Sequence, residues 1–251
     1  MLPTLRMAAP LRSPTSRHAA PARRVAVASR LRRLLDALTT LEARRLGPAL
    51  CRWLVVREFA VFARDLHVDS PDEAADPSLQ WSDLSASTIP LLTEIDPAFG
   101  EAEIDRLQRE GQYCRLCWLE GNLVHYRWDT TRPAYLSYLD RWYRPLPGDV
   151  LTSWLYTAPH YRGRGIQRAS HADIREQALA RGCRWSLGIV AVWNVPSLRT
   201  NEHTGRRRVG TIGYVAIGHW RRHFATGAVR LDNEGCVVVP DGLRDAESPQ
   251  A

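Results

Sequence analysis

The sequence predicts a mixed α/β (α+β) fold, one sheet with helices packed on it, and three observations carry that expectation. A Gly-Asn pair parts two apolar runs in mid-chain, as in a β-hairpin. Further on, the strand-like run VLTSWLYT passes through a glycine-rich turn into a helix-like stretch and then into a second apolar run, the pattern of a strand-helix-strand unit. The 251 residues, 45% hydrophobic and 24% charged, suffice for one sizeable core and are ordinary for a folded body.

Taken in order, residues 1–28 are an Arg/Ala/Pro-rich segment with no apolar stretch long enough for a secretory signal, and are read as a disordered tail. An organelle transit peptide and a start codon assigned too far upstream are the other readings. Residues 29–78 are taken as an amino-terminal extension of one helix and one strand. The helix, SRLRRLLDALTTLEARRL, carries Leu31, Leu34, Leu35, Leu38 and Leu41 at helical spacing before Gly47 and Pro48. The strand is the Val- and Phe-rich stretch at 52–66, followed by an acidic loop with two prolines. The main domain is placed at 79–230: a short strand at QWSDLS, two short helices at STIPLLTEI and GEAEIDRLQREG, a hairpin turning at Gly121 and Asn122, an unassigned aromatic segment from Asp129 to Gly148, a strand at 150–157, a helix at 164–181, a strand at 184–193, a helix at 195–204 and a strand at 208–218. Residues 231–251 hold a last strand at CVVVP and a tail.

Composition excludes some functions. The net charge of +7 suggests nucleic-acid binding, but residues 1–35 contain eight arginines and no acid, which leaves the rest near neutral. No run of 18 apolar residues occurs, so no membrane-spanning helix is expected. Cys114 and Cys117 have CxxC spacing within a strand-like stretch, where residues three apart point to opposite faces, so buried thiols are expected and no metal site.

HYRGRGIQRA, residues 160–169, sets glycines where the strand gives way to the helix. The first amides of a helix lack internal partners and carry the positive end of its dipole, so they attract an anion. Gly163 and Gly165 allow positive φ there, and Arg162 and Arg164 add charge. The turn is not a nucleotide P-loop, because no Gly-Lys-Ser/Thr follows, nor a dinucleotide fingerprint, because a third glycine is missing.

The stretch LYTAPHYRGRGIQRASHADIREQALARG resembles the acetyl-CoA signature of the GNAT superfamily of N-acetyltransferases. Arg162 and Gly165 match its pattern, and Gln167 departs from it by replacing a small residue. About thirty residues on, VAVWNVPSLRTNEHTG resembles that family's next strand and helix, matched at Asn194, Ser197 and Gly205. The resemblance implies a GNAT-type, mostly antiparallel sheet flanked by helices, with the amino-terminal helix and strand as extras. It implies acetyl-CoA as cosubstrate, with its pantetheine arm along the backbone of Leu155, Tyr156 and Thr157 and its pyrophosphate on Arg162, Gly163, Arg164, Gly165, Ile166 and Gln167, and with Asn194 bonding the arm or ordering the strand end.

The implied function is transfer of an acetyl or short acyl group to an amine on a small molecule or peptide, in a cytoplasmic enzyme with no nucleic-acid or membrane partner. A homodimer is left open. The alternative is a CoA-binding sensor or scaffold without turnover. The alternative draws on Asn201, which stands where many members carry a tyrosine as acid, and on Arg206, which replaces the usual Phe after Gly205. No catalytic residue is assigned. Tyr214 and Tyr161 are candidate acids. His125 and His160 read first as structural or exposed, and Glu58 and Asp65 as surface charges. Arg206 to Arg208 could meet a 3′-phosphate, and Trp142 and Tyr143 could line an acceptor pocket.

Overall fold

A computed structural model describes residues 54–68, 76–97 and 99–243. The expected tail, the helix at 29–46, Cys51 and the last residues lie outside them.

Twelve strands and four α-helices are described: β1 (Leu54–Asp65), β2 (Leu79–Asp83), α1 (Ile89–Ile95), α2 (Glu101–Arg109), β3 (Tyr113–Leu119), β4 (Asn122–Thr130), β5 (Ala134–Leu136), β6 (Arg141–Tyr143), β7 (Asp149–Thr157), α3 (Ile166–Ala180), β8 (Trp185–Ala191), α4 (Val195–His203), β9 (Arg207–Ile217), β10 (Trp220–Gly227), β11 (Arg230–Leu231) and β12 (Val237–Val238). Eight strands form the main sheet in the order β10-β9-β1-β8-β7-β4-β3-β2, antiparallel throughout except for the parallel pair β7 and β8. The predicted mixed, mostly antiparallel sheet flanked by helices is therefore the observed fold.

Two-residue alternation along the strands builds a core on each face of the sheet. On one face Leu116, Tyr126 and Trp128 pack with Leu92 of α1 and Ile104 and Leu107 of α2. Alongside, Phe59, Val61, Leu151, Leu187 and Ile212 meet Leu136, Tyr143 and Val237 of the small sheet β11-β12-β6-β5. On the other face α3 lays Ile166 and Ala169 against Cys117 and Val124, and Ala178 against Val150. Cys114 and Cys117 are buried free thiols in different clusters, as their spacing requires.

Two expectations are corrected, and one segment left unassigned is resolved. The strand at the amino terminus exists, but its place is interior: β1 is hydrogen-bonded to β8 on one side and β9 on the other, and the compact unit that holds the sheet begins at Leu54. Its residues Ala60 to Phe62 are wholly buried, which a flanking strand could not achieve. The hairpin turns at Glu120 and Gly121, with φ of 52° and 79°, so that Asn122 already belongs to β4; positive φ at both central residues is what matches a two-residue turn to the strands' twist. The unassigned aromatic segment forms β5 and β6, which close a second sheet with residues about ninety positions later, beyond the reach of any local pattern. Among the described residues no helix is long and apolar enough to cross a membrane.

Candidate functional site: a wedge between two parallel strands

β7 and β8 pair from Asp149 with Trp185 up to Thr152 with Gly188, and there the pairing stops. Beyond that point β7 stays on β4, as far as Thr157 opposite His125, while β8 stays on β1, as far as Ala191 opposite Phe59. The strands thus diverge into a wedge whose apex is Gly188. Its cavity, about 250 Å³, is lined by Ser153 and Leu155 of β7, Ile189 and Ala191 of β8, Gln167 and His171 of α3, Asn194, Ser197 and Asn201 around α4, and Arg206. Tyr135, Leu136 and Tyr138 line it from the small-sheet side.

The edge of β7 that faces this gap carries main-chain groups without a strand partner. Ala158 N–H bonds across to Val124 C=O of β4, so by alternation Leu155 and Thr157 turn theirs the other way. There Arg162 Nε donates to the Thr157 carbonyl at 3.0 Å. The Thr157 side chain turns inward to His125, and the Tyr156 ring stacks on Tyr126.

One turn of 3₁₀ helix at Pro159–Tyr161 leads to the glycines. Gly163 and Gly165 have φ of 78° and 77°, and Gly165 is the N-cap of α3 with no side-chain cap bond. A Cβ at either position would meet open space, so it is the left-handed backbone, not crowding by the protein, that calls for glycine. From Gly163 to Arg168 no amide donates to a described protein acceptor; the first to do so is Ala169, to the Gly165 carbonyl. Arg162, Gly163, Arg164 and Gly165 are solvent-accessible, whereas the Ile166 side chain is buried and offers only its amide. Gln167 stands at the cavity wall between this turn and His171. Amides left free at the start of a helix are groups to which an anion could bond.

Asn194 caps α4 by accepting from Ser197 N–H at 3.4 Å, which orders the end of β8. Asn201, only 4% exposed, donates to the Ser197 carbonyl at 2.8 Å and accepts from Arg206 Nη1 at 3.3 Å. Arg206, 5% exposed, also donates to Ser186 Oγ at 2.6 Å. It is therefore a buried group at the wedge apex and not part of a surface arginine run, and burial lowers its pKa to about 10. The ring of His171 is buried beside it, its Nε2 has no protein partner, and its pKa is driven well below the usual histidine value, by burial first and then by Arg206.

Beneath α3 lies a buried ionic network. Arg127, fully buried, bonds Asp129 at 2.7 Å and Asp173 at 2.6 Å, and Arg115 bonds Asp173 at 2.9 Å. Thr152 Oγ1 donates to Asp129 at 2.8 Å, which ties the network to the last paired residue of β7. His125 sits between Thr157 Oγ1 and Ser170 Oγ at 2.8 and 3.0 Å, and burial lowers its pKa to about 3. It is a satisfied core histidine, and not a base at neutral pH. His160 is exposed, Glu58 and Asp65 pair with Arg208 and Arg184 near the surface, and Tyr161 and Tyr214 do not line the wedge. Trp142 and Tyr143 do not line it either; Tyr135 and Tyr138 of the same segment do. Sequence reasoning missed His171 and gave Arg206 only as one of three arginines that could meet a 3′-phosphate; their signal would have been a helix position facing the strand end and an arginine three residues before an apolar alternation.

No protein-family model matches the chain, and no curated protein matches it in sequence. Solved structures similar to it include a GCN5-related N-acetyltransferase from Sphaerobacter thermophilus (16% identity over 75% of this chain and 58% of that one, TM-score 0.49). Others are a protein described as an acetyltransferase of the GNAT family from Novosphingobium aromaticivorans (20%, 66% and 67%, TM-score 0.45) and an aminoglycoside N-acetyltransferase in complex with CoA (14%, 50% and 90%, TM-score 0.41). The chain spans 65% of a functionally unknown conserved protein from Staphylococcus epidermidis at 8% identity and a TM-score of 0.49. With TM-scores below 0.5, no part of the site's chemistry rests on these likenesses. The fold itself is a mostly antiparallel sheet flanked by helices, with one parallel pair that parts at Gly188 and a glycine turn that opens α3.

Proposed function

We propose that the wedge binds an acyl-CoA and passes its acyl group to an amine. The observation that carries this reading is the run of unbonded amides from Gly163 to Arg168, set directly above an open strand edge. The chain's groups fit a coenzyme with a diphosphate and an amide-bearing arm. The amides of residues 163 to 168, with Arg162 and Arg164, would hold the diphosphate, and the helix dipole adds to their field. Leu155 and Thr157 would offer their backbone to the arm, Tyr156 its place in the strand, and Asn194 the ordered end of β8.

The thioester supplies an activated acyl carbon; its C–S bond breaks, a C–N bond forms, and the amine's proton is in balance with the thiol released. A backbone N–H at the diverging strands would stabilise charge developing on the carbonyl oxygen. Asn201, a carboxamide, is no proton-donating acid, and its side chain is held by Ser197 and Arg206. Tyr138, whose phenol is kept protonated by desolvation, and neutral His171 are wall groups that carry a transferable proton, whereas the Tyr135 hydroxyl donates to Asp140. Proton transfer contributes about 10²- to 10⁴-fold, so loss of one donor slows the reaction without abolishing it.

Isothermal titration with acetyl-CoA and CoA tests binding, and thiol release against a panel of small amines and peptides tests turnover. Saturable binding with release on at least one acceptor supports the reading; no binding overturns it. Binding without release on any acceptor favours a CoA sensor, a second reading supported by the buried, bonded amide of Asn201 where an acid would stand. Cytoplasmic location and an amine acceptor on a small molecule or peptide belong to this proposal.

A further inference from the structure

The wedge apex contains a cation with no acid beside it. Arg206 is 5% exposed, and its hydrogen bonds go to two neutral acceptors, Ser186 Oγ and Asn201 Oδ1. A guanidinium has five N–H donors. The other three find no acceptor among the described residues. Among the described residues no carboxylate is in ion-pair contact with it, and the one carboxylate whose charge favours it, Asp129, is offset by the positive charges of Arg64 and Arg127. His171, which also lines the cavity, holds a buried Nε2 with no hydrogen-bond partner among the described residues. No Asp or Glu is among the residues that line the cavity. A Cβ on Gly188 would come within 2.5 Å of Arg206 Nη1, so glycine at the apex is what makes room for the guanidinium.

Burying an unpaired charge and leaving a buried ring nitrogen unbonded are both costly, and protein interiors rarely combine them without something to answer both. A planar carboxylate answers both: it pairs in bidentate fashion with a guanidinium and accepts from a neutral imidazole N–H. Its position fixes its source. Arg206 stands at the apex, against Gly188 and bonded to Ser186 where the strands part, and His171 lines the cavity from α3, whereas Tyr135 and Tyr138 line it from the small-sheet side.

Resting on the acyl-transfer reading, we propose that the preferred donor is a CoA thioester whose acyl group ends in its own carboxylate, such as a succinyl or malonyl group, held by Arg206 and His171. Such a site would also discriminate against uncharged chains, because an apolar end leaves the cation buried and unanswered.

The test compares succinyl-CoA with butyryl-CoA, equal in chain length and different at the terminal carboxylate, alongside acetyl-CoA and free CoA, by calorimetric titration of the full chain. Succinyl-CoA is expected to bind about tenfold to a hundredfold more tightly than butyryl-CoA, the range of a charge-assisted bond to a buried partner. In Arg206→Met the ratio should fall to about one, and Arg206→Lys should keep part of it. If the variants fail to fold, the wild-type ratio decides. Equal affinity for the two thioesters, or a preference for butyryl-CoA, overturns the inference and leaves the coenzyme cradle standing. If none of the four binds, free CoA included, the acyl-transfer reading falls and takes this inference with it.

Discussion

The two ends of the first turns of α3 are built on opposite terms. At its mouth the amides of Gly163 to Arg168 have no acceptor among the described residues, and Arg162 and Arg164 are exposed. One to two turns further, Ser170 and Asp173 are buried, bonded to His125, Arg127 and Arg115. An unsatisfied amide costs little where water replaces the partner and much where it cannot. The mouth can therefore hold polar groups in reserve for a ligand, while the interior must spend them on itself. The wedge apex, where Arg206 and His171 are both buried and underbonded, breaks this division, and is for that reason the informative place.

The largest effect expected is on stability. Asp173→Ala strips Arg127 and Arg115 of a shared acid and should cost about 3–5 kcal/mol in urea unfolding, against about 0.5 kcal/mol or less for Arg162→Ala at the mouth. Similar costs for the two would dissolve the contrast. Acid should act on the interior next. His125 has a native pKa of about 3 against an ordinary 6.5, so between those values the unfolded chain binds a proton that the fold refuses. Stability therefore falls as pH drops below 6.5, by about 2–3 kcal/mol at pH 4.5 from this group alone. Unfolding midpoints measured from pH 7 to 4 check the slope, and an NMR titration should find the His125 ring neutral at pH 5.

At the mouth the effects move from stability to binding. Gly165→Glu forces a side chain onto a backbone with φ of 77° and sets a negative charge against the diphosphate; CoA affinity should drop about tenfold or more, worth about 1.4 kcal/mol. Titration with CoA gives the answer, and an unchanged Kd would refute the cradle. Smallest are Arg162→Ala and Arg164→Ala, each expected to weaken CoA binding by about 0.3–1 kcal/mol, with a loss that shrinks as salt rises.

Much of the mouth was legible in sequence because its determinants are local. Glycines before a helical pattern specify a turn with positive φ, and the Asn194 to Gly205 spacing marks a capped helix after a strand. The hairpin was legible too, one residue out of register at its turn, since Glu120 gives no composition signal for φ of 52°. The burial of Arg206 was not legible: in a run of three arginines the expected place is solvent, and only the gap left by Gly188 two strand positions from Ser186 accepts the guanidinium. Tyr135 and Tyr138 were hidden for a similar reason, because the small sheet that aims them is closed by residues near the carboxyl terminus.

By itself the sequence determined most strands and helices of the main sheet and the left-handed glycine turn that opens α3, because propensity, periodicity and glycine's missing Cβ act within a few residues. Tertiary structure alone decided that β1 lies between β8 and β9, that β7 and β8 part at Gly188, and that a cation and a histidine meet without an acid at that point. Strand pairing and burial are bonds between distant segments, and no local pattern records which partner wins.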